Sequence, residues 1–288
     1  MTWTTTQDLD AFEASAGAFL RARPAEHTVL LSVTASLRAI GADAYGAGAP
    51  WFGWWRRGGA ETVGAAFVWT PPRTVLLSPM PQEAAAEWAD EMSRRRLAVP
   101  GVNAGRAAAE AAAAAWQRSQ GGTVRTAERA RLYRLGALIP PAPAPPGAAR
   151  LATTTDRDLL IDWFTAFAAE VGDPPPRDAR AVDDRIAHGR CTLWEVDGHP
   201  VAMAGVTRTL FGTARVAPVY TPPDLRGRGY AGAVTAAVSR AAQAADAAEL
   251  LLFADLDNPT SNALYQRLGY RPVEDHLVLE FDPEPDRP

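Results

Sequence analysis

The chain contains no lysine. All 29 of its basic side chains are arginine. That excludes any chemistry that needs a lysine amine, whether a Schiff base, attachment of a pyridoxal cofactor or a Gly-Lys-Ser phosphate loop. There is a single cysteine, Cys191, so an internal disulfide is excluded and a cysteine-based metal site is not expected. The four histidines, His27, His188, His199 and His276, include no pair at the one-turn spacing of a helical zinc site, and no metal is expected. His188 stands three residues before Cys191, and the pair reads as a surface histidine beside a strand cysteine rather than a nucleophilic couple. No apolar run is long enough to span a bilayer. Residues 1–10 lack the basic start and apolar core of a signal peptide, so a cytoplasmic location is expected. With a net charge of −4, nucleic acid is not an expected partner, since phosphate backbones demand a basic face.

What is present is an ordinary globular composition, 47% hydrophobic and 22% charged over 288 residues, enough for two domains. The segment Ile139-Pro-Pro-Ala-Pro-Ala-Pro-Pro-Gly147 reads as a stiff, extended connector. We therefore expect one domain at 1–139, a linker at 140–147 and a second domain at 148–288, the last few residues frayed.

In the second domain the pattern predicts a strand at 149–152 and a helix capped by Thr155 that runs to 170. A break at 173–177 and a helix at 178–188 follow. Strands at 191–196 and 200–207 are joined by Asp197-Gly198, a hairpin signal, and a third strand covers 213–220. A helix to 244, a buried strand at 249–255 and a helix with Asn258 as cap, Pro259 at its first position and Gly269 after its end come next. The last strand is predicted at 277–281. The first domain is less legible. It predicts helices at 8–20, 81–96 and 104–119, and strands at 51–56, 62–69, 74–77 and 124–133.

The segment from Val219 to Gly232 carries most of the functional information. An apolar strand enters a loop with two arginines and three glycines, and the loop opens into an alanine-rich helix. Free backbone N–H groups and the positive end of a helix dipole meet there, a site for phosphate or pyrophosphate. Gly227-Arg-Gly-Tyr-Ala-Gly232 also satisfies the dinucleotide pattern Gly-x-Gly-x-x-Gly, with Asp255 at a suitable distance. A nicotinamide-binding domain is disfavoured on three grounds. Residues 221–226 separate the glycines from the strand, a hairpin precedes that strand, and too little chain follows for a doubly wound sheet.

Two motifs together resemble the GNAT superfamily of N-acetyltransferases. Arg226-Gly-Arg-Gly229-Tyr-Ala231 is similar to the family's loop Gln/Arg-x-x-Gly-x-Gly/Ala. Asn258, followed by a helix through Tyr265 to Gly269-Tyr270, is similar to its second signature. The resemblance covers about 150–281. It implies an α/β fold of two GNAT-like domains, each a mixed, mostly antiparallel sheet flanked by helices, the first a degenerate copy. Where the second domain has its glycine loop, the first has Ser78-Pro-Met-Pro-Gln-Glu83, with no glycine and an acidic residue, which would not cradle phosphate.

The resemblance also implies acetyl-coenzyme A as cofactor and an amine of a small molecule or peptide as acceptor. Backbone N–H groups of Gly227, Arg228, Gly229, Tyr230 and Ala231 would hold the pyrophosphate, with charge from Arg226 and Arg228. Val219 and Thr221 would offer backbone groups to the pantetheine arm, while Pro218 and Pro222 suit a strand that splays from its neighbour. Tyr265 would protonate the departing thiolate. Asn262, one turn earlier, would help hold the cofactor, and Asn258 reads first as a cap. No carboxylate lies in 213–220 to serve as general base. Glu170, Asp173, Asp183 and Asp184 border the expected acceptor site and read as a solvated face, and the direction of Glu195 is open. The seven tryptophans of the first domain read as core, in a domain that scaffolds and walls the acceptor site. The alternative is a non-catalytic acyl-coenzyme A sensor or partner-binding module.

Overall fold

A computed structural model describes residues 2–58, 61–172 and 179–283. The expected break at 173–177, with Asp173, the residue Asp178 and the end of the tail lie outside the described residues. Two compact units are formed. The first takes residues up to Leu132 with Asp255–Asp257 and the chain from Val273 onward; the second comprises Tyr133–Ala254 and Asn258–Pro272.

The first half of the chain runs β1 (Thr2–Thr6), α1 (Leu9–Ala22), α2 (Thr28–Ile40), β2 (Trp51–Arg56), β3 (Val63–Trp69), β4 (Val75–Leu77), α3 (Gln82–Arg94), β5 (Gly101–Gly105), α4 (Arg106–Gln120) and β6 (Thr123–Leu135). The Asp8 carboxylate caps α1 by accepting the N–H groups of Asp10 and Ala11 at 2.8 and 3.2 Å. Phe12, Ala16 and Leu20 then fall one turn apart on its buried stripe. The core gathers Trp3, Trp55, Trp69, Trp88 and Trp116 with the alanine faces of α3 and α4, so these five tryptophans are core residues, as expected, and not a ligand stack.

The second half runs β7 (Ala148–Leu151), α5 (Arg157–Val171), α6 (Arg180–Ala187), β8 (Cys191–Val196), β9 (His199–Val206), β10 (Thr213–Tyr220), α7 (Tyr230–Ala244), β11 (Glu249–Asp255), α8 (Pro259–Arg267) and β12 (Tyr270–Asp282). In the first unit the strand order is β1-β2-β3-β4-β5-β12, and in the second it is β11-β10-β9-β8-β7. Within each, the adjacent pairs are antiparallel apart from β4·β5 and β10·β11. This is a mixed sheet and not a doubly wound one.

Five local readings differ from the structure. Strand β1 and helix α2 carry no strong sequence signal and were not expected. Residues 101–105 form β5 rather than leading into a helix from 104, and β12 begins at Tyr270 rather than 277. The short turn Thr154–Asp156 that leads into α5 is closed by a capping box of Thr153 and Asp156, in which the Asp156 carboxylate accepts the Thr153 N–H at 2.8 Å, and not by Thr155. Strand β12 pairs with β5 from His276↔Gly105 to Glu280↔Gly101. Gly101 lies at φ +147°, and a Cβ there would sit 2.0 Å from the Leu279 carbonyl oxygen, so only glycine admits that close strand. The Pro-rich segment is extended and docked on the second unit: Ile139 N–H donates to Leu268 O at 3.0 Å, and Trp194 Nε1 donates to Pro146 O at 2.8 Å.

Candidate functional site

Strand β10 runs parallel to β11 from Thr213↔Glu249 to Arg215↔Leu251. On its other side it pairs with β9 as Val216↔Val206 and then Val219↔Ala204. One extra residue on β10 makes a bulge at Ala217-Pro218, and a bulge bends its strand and raises the local twist. Pro218 brings no N–H to either ladder. Beyond Arg215 the strand bends out of its pairing with β11, which is the splay expected from the prolines.

The chain leaves β10 through Thr221 and a short turn at Pro223–Leu225. Gly227 and Gly229 both lie in the left-handed region, at φ +77° and +84°, where a side chain is strained. A Cβ on Gly227 would meet nothing within 4 Å; what requires glycine there is the backbone conformation. Gly229 sits at the cap position of α7, which has no side-chain cap. The first-turn N–H groups of α7 therefore point out of the helix with its dipole behind them. Gly232 brings α7 close to α8: a Cβ there would lie 3.0 Å from Leu264 Cδ1. One apolar cluster holds Val219, Leu225, Tyr230, Leu264 and Tyr265. The structure thus brings the two sequence motifs together.

The expected cofactor residues divide into two groups. The backbone of Arg228 to Ala231 lies at the uncapped start of α7, and the end of β10 lies beyond its pairing with β11. The Thr221 hydroxyl is buried with no hydrogen-bond partner among the described residues, an orphaned polar atom at the mouth of the splay. The side chains are more committed. Arg226 donates Nε to Thr221 O at 2.9 Å, pairs Nη2 with Glu170 at 2.5 Å and lies 6.0 Å from the Tyr220 ring. Arg228 donates to Asp224 O at 3.2 Å. Asn258 caps α8, its Oδ1 accepting the Ser261 N–H at 3.0 Å. Asn262 donates Nδ2 to Asn258 O at 2.8 Å and accepts the Tyr133 hydroxyl at 2.7 Å. These residues fit an acyl-coenzyme A through backbone donors and an unsatisfied hydroxyl more than through free charges.

Tyr265 is buried, 9% exposed, with its ring edge-on to Tyr270 at 6.1 Å. Burial pushes its phenol well above the ordinary tyrosine value, so it stays protonated at working pH. Burial also pushes Tyr270 up to about 12, although the Ser239 hydroxyl at 2.8 Å pulls back.

The candidate acidic residues are engaged by arginines. Asp183 pairs with Arg157, whose hydrogen bonds hold its carboxyl below the usual range. Asp184 pairs with Arg190; burial raises its carboxyl, and the Arg190 hydrogen bond and charge more than cancel that. Glu195 points to Arg150, shared with Asp156. The hydrogen bonds from Arg150 hold Asp156 down at about 2.

Three residues near the splay escaped the sequence reading. Tyr133 bonds Asn262 and accepts from Gln266 Nε2 at 3.3 Å. Tyr220 packs on Trp163 at 6.0 Å. Arg185 reaches the bulge from α6, donating Nη1 to Ala217 O at 2.8 Å. The one available signal was the position of Arg185, three residues after Val182 on the apolar stripe of α6.

The matching place in the first unit is closed. Where β4 ends, Ser78 Oγ accepts the Ala66 N–H at 2.9 Å and donates to Pro79 O at 3.1 Å. Helix α3 starts behind Pro81 with Glu83 in its first turn, which repels an anion.

Residues 157–270 match the acetyltransferase (GNAT) family. No curated protein matches the chain. Among solved structures, a GCN5-related N-acetyltransferase from Sphaerobacter thermophilus is similar at 20% identity and TM-score 0.63, covering 99% of this chain and 98% of that one. An acetyltransferase of the GNAT family from Colwellia psychrerythraea is similar at 12% identity and TM-score 0.63, over 98% and 100%. A tandem GNAT protein from the clavulanic acid biosynthesis pathway aligns over 99% and 100% at 15% identity and TM-score 0.55. The fold is therefore similar over the whole chain to that of a tandem GNAT protein, and the segment from β10 through α8 lies within the stretch that matches the acetyltransferase (GNAT) family.

Proposed function

We propose that the second unit transfers an acetyl group from acetyl-coenzyme A to an amine of a small molecule or peptide, and that the first unit is a degenerate copy without a cofactor of its own. The observation that carries the reading is the departure of β10 from β11 after Arg215, followed by Gly227 and Gly229 in left-handed backbone before the uncapped start of α7. Acetyl-coenzyme A supplies an activated acyl carbon as its thioester. The N–H groups of Arg228 to Ala231 bind its pyrophosphate, and backbone groups of Val219 and Thr221 run along its arm as an added strand. An N–H near Val219 polarises the acyl carbonyl. The neutral Tyr265 phenol delivers a proton to the thiolate as it leaves, and the proton shed by the attacking amine passes to solvent, which restores the phenol. With the nearby carboxylates paired to arginines, rate comes mainly from juxtaposition of amine and thioester.

Titration of acetyl-coenzyme A into the protein tests this reading. One site per chain, lost in Gly229→Asp, is expected. Absence of binding to the wild type sinks it. A second reading, a non-catalytic acyl-coenzyme A sensor, is favoured by the arginine pairing of Asp183, Asp184 and Glu195. Tight binding with no turnover on a broad amine panel selects it; any robust acceptor removes it.

A further inference from the structure

Most arginines around the site have carboxylate partners: Arg150 with Asp156 and Glu195, Arg157 with Asp183, Arg190 with Asp184, Arg226 with Glu170. Arg185 is different. Its guanidinium gives Nη1 to the Ala217 carbonyl at 2.8 Å and lies 5.2 Å from the Phe164 ring centroid. Among the described residues it makes no ion pair. Space for it is built in: a Cβ on Gly205 of β9 would fall 2.8 Å from Arg185 Nη1 and 2.7 Å from Ala217 O. The group is half-buried, so part of it still faces solvent, and the Asp184 charge acts on it without forming an ion pair. Burial lowers its pKa, yet an arginine keeps its proton. A half-buried guanidinium, without an ion-pair partner among the described residues, is thus held against the bulge of β10, beside the Val216 to Val219 segment.

A fixed positive charge there repels an acceptor whose charge is all positive. It suits an amine that also carries an anion. With Nη1 committed to Ala217, Nε and Nη2 remain as one edge of the planar fork, which matches the two oxygens of a carboxylate. Resting on the acetyl-transfer reading, we propose that Arg185 binds a carboxylate of the acceptor, making the acceptor class amino acids and other amino-carboxylates rather than simple polyamines.

The test compares matched acceptors: phenylalanine and alanine against their carboxamides, 4-aminobutyrate against its methyl ester, and 2-aminoethyl phosphate as a separate arm. The free acids are expected to win by about 10- to 100-fold in kcat/KM, mostly through KM. Arg185→Met should erase that gap while acetyl-coenzyme A still binds. Should Arg185→Met fail to fold, Arg185→Lys keeps charge without the fork, and a reduced preference in the same direction is expected. Titration of N-acetylphenylalanine against its amide gives the same comparison without turnover. Equal handling of acids and neutral twins overturns the proposal, as does a preference unchanged in a folded variant. A phosphate arm that outruns every acid overturns the carboxylate assignment. Failure of the parent reading looks different: the wild type then binds no acetyl-coenzyme A, and both fall.

Discussion

Glu170, near the end of α5, takes Arg226 Nη2 at 2.5 Å, so the first arginine of the phosphate loop is held by a carboxylate before any ligand arrives. Both side chains are about half exposed, and such a pair is worth little, about 0.2–1 kcal/mol. Its significance is competition. Glu170→Gln should free Arg226 and tighten acetyl-coenzyme A binding by up to about fivefold, whereas Arg226→Gln should weaken it, with a shallower salt dependence. Titrations at 50 and 300 mM salt check both signs; a looser Glu170→Gln variant contradicts the competition.

Tyr265→Phe should lower kcat by about 100-fold or more, the ordinary worth of a positioned acid, with acetyl-coenzyme A affinity retained. Because burial raises its pKa, the phenol remains a donor across neutral and mildly alkaline pH. The kcat profile should therefore show no alkaline fall due to this group below about pH 10. Linkage gives the same boundary for stability. The folded state holds the proton more tightly than the unfolded chain, so the contribution of this group is complete below about pH 10 and lost above it. Tyr270, pushed up to about 12, acts in the same direction. Unchanged kcat in Tyr265→Phe removes the residue from the mechanism.

Tyr133→Phe deletes one hydroxyl that serves both Asn262 and Gln266. The expected cost is about 1 kcal/mol, since the half-buried Asn262 Oδ1 loses the Tyr133 donor. In a chain of this size that is a fall of a few degrees in Tm. If Asn262 orients the cofactor, the variant should also bind acetyl-coenzyme A more weakly. A lower Tm with unaltered affinity would leave Asn262 as a purely structural residue.

His276 gives an acid-side prediction. Burial holds its imidazole down to about 4, although the Asp275 charge pulls the other way. His27, fully buried, is lowered for the same leading reason. Both are neutral when folded, and the unfolded chain gains protons below about pH 6.5. Stability is therefore complete above that value and declines as the pH falls toward 4, on the order of 3 kcal/mol for His276. Urea midpoints at pH 7 and 4.5 should separate in the wild type and draw together in His276→Gln. An equal slope in both assigns the acid sensitivity elsewhere.

The parts legible in the sequence are those set by local chemistry. Asp197-Gly198, Gly227, Gly229, Asn258 with Pro259, and Gly269 each impose a backbone state that hardly depends on the rest of the chain. They gave the hairpin, the loop and the ends of α7 and α8. Helix α2 was missed because Thr28, Val29, Val33, Thr34 and Ile40 are β-branched and read against a helix; packing decides it. Strand β5 was hidden because Gly101 and Gly105 read as breaks, and their reason is a partner strand more than 170 residues away. The same holds for Tyr133 and Asn262. Side-chain engagement was the least legible layer: the loop was read as offering two arginine charges, while Glu170, Thr221 and Asp224 already occupy them.

The pairing of β12 with β5 has a temporal meaning. Strand β5 leaves the ribosome well before β12, the strand that lies along Gly101 to Gly105. Until β12 emerges, β5 has one unsatisfied edge and Gly101 has nothing to make room for. The first half must wait, incompletely edged, while the whole of the second is synthesised. A polypeptide cut at the Pro-rich segment would be left in that waiting state permanently.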